Sequence, residues 1–139
     1  MTELIPLFSA LSGALVAGFV GFFATRSTKA QEWRLVLAKD QAAIRQKLYS
    51  ELLVEVQRLI VLAIERKVLS ATELDAVHGK FAEVSLLGGD DVVKASNAMV
   101  DHVLSCHTLG GPKPPSNFYD LKMAFIVSAR KDIASVLSH

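Results

Sequence analysis

The chain has 139 residues, a formal net charge of +1 and 51% hydrophobic residues. A balance this close to neutral gives no electrostatic pull toward nucleic acid or acidic substrates, and the lone Cys106 cannot form an internal disulfide. Set apart from its first residues, the chain is still long enough for one domain with a buried core.

Residues Leu4–Thr25, LIPLFSALSGALVAGFVGFFAT, contain no charged side chain over 22 positions. A helix rising 1.5 Å per residue needs about 20 apolar residues to cross a hydrocarbon layer roughly 30 Å thick. The run therefore predicts a transmembrane helix. A cleaved signal peptide would open on positive charge, whereas this chain opens Met1-Thr2-Glu3. A helix buried in a soluble domain rarely stays apolar on every face through six turns. Pro6 suits the first turn, where its missing N–H costs nothing.

Charge sets the expected orientation. No Lys or Arg precedes the run, and Arg26, Lys29, Arg34, Lys39, Arg45 and Lys47 follow it closely. The positive-inside rule then places the N-terminus out and the C-terminal domain in the cytoplasm, as a single-pass protein of the inner membrane. That orientation disfavours a phage-type inner-membrane spanin, whose long soluble helix must lie outside. A reducing compartment agrees with the unpaired cysteine. Setting topology is the first role of these cations; of them, Arg26, Lys29 and Arg34 are near enough for attraction to anionic headgroups.

Within the run, small residues recur every four positions: Ser9, Gly13, Ala17 and Gly21 in one row, Ala10, Ala14 and Gly18 in the next. Helices in lipid associate through close backbone approach rather than hydrophobic drive, so this face predicts self-association or pairing with another membrane protein.

From Ser27 to Leu69 there is neither Gly nor Pro, which predicts one long helix over 27–69. A heptad places Leu35, Ala38, Ala42, Arg45, Tyr49, Leu52, Val56, Leu59, Ala63 and Arg66 at its core positions. Leu48, Leu53, Ile60 and Ile64 fall beside that seam, and a stripe so wide suits packing against several helices better than a two-stranded zipper. The run Leu59–Ile64 is too short to span a membrane and predicts the buried centre of a bundle.

Three shorter helices follow. Ser70 and Glu73 form a capping-box pattern for a helix over 71–87, with Leu74, Val77, Phe81, Val84 and Leu87 as its apolar face and Gly88-Gly89 as its stop. Asp90 or Asp91 is the expected cap of a helix over 91–108, with Val92, Ala95, Met99, His102, Val103 and Cys106 on one side. After the loop Gly110-Gly111-Pro112-Lys113-Pro114-Pro115, Ser116 or Asn117 starts a last helix over 117–137. Its inner side mixes Leu121, Ala124, Phe125 and Val136 with Ser128 and Asp132. The expected fold is all-α: a membrane anchor (1–26) and a cytoplasmic helical-bundle domain (27–139). In it the short helices fold back on the distal half of a long juxtamembrane helix.

The short N-terminal span, the junction Trp33-Arg34, Tyr49-x-x-Leu52-Leu53, the stretch Glu83-Val84-Ser85-Leu86-Leu87-Gly88-Gly89-Asp90-Asp91-Val92, and Phe125 with Arg130-Lys131-Asp132-Ile133 carry a resemblance. Together they resemble small single-span membrane proteins of bacteria and prophages that bear a cytoplasmic helical domain. The resemblance covers most of the chain. It implies architecture and brings no catalytic residues with it.

Residues with chemistry to offer are sparse. His102, Cys106 and His107, with Asp101 and His78 nearby in sequence, make half of a soft-metal pattern and lack a second ligand pair; a packed Cys beside a half-exposed His is the expectation. Asp90-Asp91 reads as a helix cap, and neither Gly-Gly pair has the context of a phosphate loop. Trp33 is expected as a packing residue or contact point. No cofactor signature and no catalytic constellation is present. The expected function is a non-enzymatic membrane-anchored scaffold or regulator, with an oligomeric pore-forming or bilayer-perturbing effector as the alternative. Ser9 and Ser12 alone offer polar groups to a lumen, which favours the scaffold.

Overall fold

The computed structural model describes residues 4–108, 111 and 117–138, with side-chain surroundings described from Gly21 onward except at residues 22, 23 and 27. It is all-α, with helices α1 (Leu4–Ile64), α2 (Ala71–Leu87), α3 (Asp90–Ser105) and α4 (Phe118–Leu137). The chain divides into two units, Met1–Leu37 and Ala38–His139. The apolar run expected to span the membrane lies largely outside the residues whose side chains are described. Among the described residues, no helix is long and apolar enough to cross a membrane.

The second unit is a four-helix bundle whose directions follow from its cross-links. Arg58 of α1 meets Glu73 of α2 and Glu51 meets Lys80, so α2 runs against α1. Gln57 accepts from Lys122 and Arg45 pairs with Asp132, so α4 also runs against α1. Gly89 and Asp91 lie beside Asp132 and Lys131 at one end, while His107 reaches the Leu59 carbonyl at the other; α3 therefore runs parallel to α1. The result is an up-down-up-down arrangement of the kind that short connections favour.

Its core is a stripe of α1 covered by the other three helices. Ala42, Tyr49, Leu52, Val56, Leu59 and Ala63 are buried, and these are heptad positions; Ile60 joins them from beside the seam. Facing them are Val77 and Val84 of α2, Val92, Met99, Val100 and Val103 of α3, and Phe118, Phe125 and Ala129 of α4. The Tyr49 ring meets Phe125 edge-on at 6.0 Å between centroids, the orientation that aromatic quadrupoles favour. Ser96, fully buried in α3, satisfies its hydroxyl by donating to the Val93 carbonyl at 2.8 Å.

Several expectations shift at helix ends. The capping box is present: the Ser70 hydroxyl accepts from the Glu73 N–H at 3.3 Å and Glu73 accepts from the Ser70 N–H at 2.8 Å. The first helix stops at Ile64 instead of reaching 69. Arg66 takes a left-handed φ of 55°, its N–H donates to Ala63 O, and the Lys67 N–H reaches back to Leu62 O. That pair of bonds is a Schellman stop, built on arginine where glycine is usual, and so it leaves no mark in the sequence. Leu59–Ile64 is accordingly the last part of α1, toward one pole of the bundle; Leu59, Ile60 and Ala63 are buried there as expected, and Val61 and Ile64 are exposed.

The cap of α3 is Gly89, with no side-chain cap bond, and Asp90 and Asp91 sit inside the first turn; the helix ends at Ser105 rather than 108. Asn117 precedes α4 in the left-handed region, which asparagine tolerates. Leu87, expected inward, is exposed, as is Ala124; Phe118 is buried at the start of α4.

A non-glycine residue in the left-handed region costs roughly 1–2 kcal/mol, part of which glycine loses again through its freer unfolded chain. Arg66→Gly is therefore expected to stabilise the bundle by about 0.5–1 kcal/mol, as a raised denaturation midpoint with an unchanged slope.

Candidate functional site

The residues singled out as a membrane-packing face, Ser9, Ala10, Gly13, Ala14, Ala17 and Gly18, lie outside the residues whose side chains are described. Gly21 is exposed, with no atom within 4 Å of the position a Cβ would take. Arg26, Lys29 and Arg34 are exposed. Trp33 is 69% exposed and is flanked by exposed Leu35, Val36 and Leu37, so its surroundings within the chain are not those of a packing residue.

The most organised polar site lies where α1, α4 and the α2–α3 turn meet. Asp132 of α4, its side chain 10% exposed, receives three donors. Arg45 Nη1 donates to Oδ2 at 2.7 Å, the Tyr49 hydroxyl donates to the same oxygen, and the Gly89 N–H donates to Oδ1 at 3.2 Å. The carboxylate thus gains a cation and two neutral donors, which is what a nearly buried charge requires. Burial first, and then the hydrogen bond and charge of Asp132, hold the Tyr49 phenol well above its ordinary range.

The two glycines of the turn are there for space. Both have ordinary negative φ. A Cβ at Gly88 would fall 2.7 Å from Val84 O and 3.1 Å from the Tyr49 hydroxyl, and one at Gly89 would fall 2.6 Å from Asp132 Oδ1. The turn is pressed directly onto the Tyr49–Asp132 pair, and any side chain would push it off.

Two cross-braces tie α1 to α2 along the bundle, a half-buried one at Lys80 and a more exposed one at Arg58 toward the opposite pole. Lys80 pairs with Glu51 at 2.7 Å and with Glu83 at 3.2 Å, and Arg58 bridges Glu55 and Glu73. The hydrogen bond from Lys80, followed by its charge, holds the Glu51 carboxyl below the usual range.

At the opposite pole, a cleft of about 830 Å³ is bordered by Arg66, Lys67, Leu69, Leu74, Leu104 and His107, among others. Here Cys106 packs beside a half-exposed His102, as expected, while the other residues of the soft-metal pattern turn elsewhere. His107 Nε2 contacts Leu59 O at 2.9 Å, while His102 Nε2 lies 3.8 Å from Cys106 Sγ. Asp101 accepts from Asn97, and His78 is exposed on α2. Burial pushes the Cys106 thiol up, which keeps it protonated and a poor nucleophile. Among the described residues, no group of three His, Cys, Asp or Glu side chains is placed to hold a metal ion.

Comparison with known proteins finds no family, no curated protein and no solved structure that the chain matches.

In the sequence Arg45 falls on the α1 seam and Asp132 on the inner side of α4, and nothing local joins them. Opposite charges at core positions of two helices were the available signal; their register required the fold.

Removing the carboxylate strands a buried hydroxyl and a turn N–H. Asp132→Ala is expected to destabilise the bundle by about 2–4 kcal/mol in chemical denaturation, more than Arg45→Ala, whose side chain is nearer water. The raised Tyr49 pKa gives a second outcome. Its contribution is intact below the ordinary phenol value of 10.0 and is lost as pH rises toward the folded value. In a Tyr119→Phe background, where Tyr49 is the remaining tyrosine, phenolate absorbance should rise together with alkaline loss of helical signal rather than before it.

Proposed function

We propose that this chain is a single-span membrane protein whose cytoplasmic helical bundle acts through protein–protein contact, as a scaffold or regulator. The observation that carries the reading is the uncharged run Leu4–Thr25 followed directly by Arg26, Lys29 and Arg34. The N-terminus lies outside and the bundle inside. The small-residue face of the run serves self-association or pairing with a second membrane protein. This architecture is also the one the sequence resemblance implies.

The bundle supports a contact role in its own way. Its interior polar groups are consumed in bracing helices to one another, as Arg45, Tyr49 and Asp132 show. Its surface, by contrast, displays Ile44, Val54 and Val61 on α1 and Tyr119, Met123 and Val127 on α4, side chains that give a partner apolar area to cover.

The test is fractionation of the expressed full-length chain. The protein should remain with membranes through alkaline carbonate, and protease added to inside-out vesicles should digest the bundle. Recovery in the aqueous fraction overturns the anchor. A collapse of the proton gradient on expression, without a protein that co-purifies in mild detergent, would replace the scaffold with the membrane effector.

A further inference from the structure

In the first unit, every described side chain from Ala24 to Leu37 is exposed, including Trp33, Leu35, Val36 and Leu37. At about 100° per residue Trp33, Val36 and Leu37 share one side of this helical stretch, while Leu35 points the other way, and an indole and two branched aliphatic side chains together on one exposed face give an outside surface apolar area to cover. The same stretch carries Arg26, Lys29 and Arg34 against the single carboxylate of Glu32. We propose that the start of this segment, as far as Trp33, sits at an anionic bilayer surface, with the Trp33 indole seated among the lipid headgroups. The proposal rests on the anchored reading above and adds what the junction recognises.

Reach allows it. Trp33 lies eight residues beyond Thr25, about 12 Å along a helix. Side chains on a helix lean toward its N-terminus, which brings the indole back by about 5 Å, and a tilt of about 20° lowers it further. That places the ring at the outer part of a headgroup layer roughly 5–7 Å deep, where tryptophan is enriched. The cations supply the attraction to anionic headgroups over the same distance.

A second copy of the chain fits the segment less well. The seam that would bury Trp33 also uses Ala30 and Leu37. In a parallel pair on that seam, Lys29 of one copy flanks Arg34 of the other, and like charges at those positions oppose pairing. A bilayer with anionic lipid reverses the sign of that interaction.

Trp33 is the single tryptophan of the chain, so its fluorescence reports this site alone. Full-length protein is reconstituted into phosphatidylcholine vesicles, or into the same lipid with about 30% phosphatidylglycerol, and insertion is checked by carbonate resistance. With phosphatidylglycerol the emission should move to shorter wavelength, and quenching by headgroup-labelled lipid should rise about two-fold, falling back in high salt. Inserted protein with the same water-exposed emission in both vesicles overturns the proposal and leaves the anchor standing. So does shielding that follows protein-to-lipid ratio irrespective of lipid charge, which would assign the cover to a second copy. A chain stripped by carbonate overturns the anchor and this placement together.

Discussion

A carboxylate on the last helix, held by donors from the first helix and from the turn between the second and third, fixes how the bundle fits together. Apolar burial along Leu52, Val56 and Leu59 supplies most of the favourable energy, but it has no direction and tolerates sliding. Asp132 does not. Its two oxygens are satisfied when Arg45, Tyr49 and the Gly89 N–H arrive together, so a shift of one turn in any helix would strand a nearly buried charge. The glycine pair belongs to the same constraint, because it lets the turn approach closely enough to donate.

Much of the bundle is legible in the sequence, for reasons that are local. Heptad spacing identifies the inner face of α1 from Ala42 to Ala63, and the Ser70–Glu73 box marks the start of α2 within a few residues of chain. What escapes the sequence depends on the third dimension. The Schellman stop at Arg66 uses a backbone conformation that arginine does not advertise. Asp132 has the composition of a surface residue until Arg45 and Tyr49 are brought beside it. Gly88 and Gly89 look like a helix breaker, and their further reason, room for a neighbouring hydroxyl and carboxylate, exists after packing. His102 and His107 show the converse: near in sequence, they take different partners because His102 is on α3 and His107 lies beyond the helix end at Ser105.

The two units solve different problems. In Ala38–His139, apolar side chains of α1 find cover in three other helices, and charged side chains brace the rim. In the described part of Met1–Leu37, Trp33 and its neighbours find no such burial. Along one helix, therefore, the described side chains pass from exposure all round as far as Leu37 to a stripe buried on one side from Ala42 onward.

The bracing is unequal between the two poles of the bundle. One pole holds the nearly buried Arg45–Tyr49–Asp132–Gly89 cluster; toward the other, the Arg58–Glu73 ion pair is nearer water and a His107 contact to a carbonyl lies beside an open cleft and an arginine in a left-handed conformation. Local openings that expose backbone amides begin where the fewest interactions must break at once. Local opening of this fold is therefore expected to begin at the pole of Arg66 and His107 and to reach the buried middle of α1, around Leu52 and Val56, last.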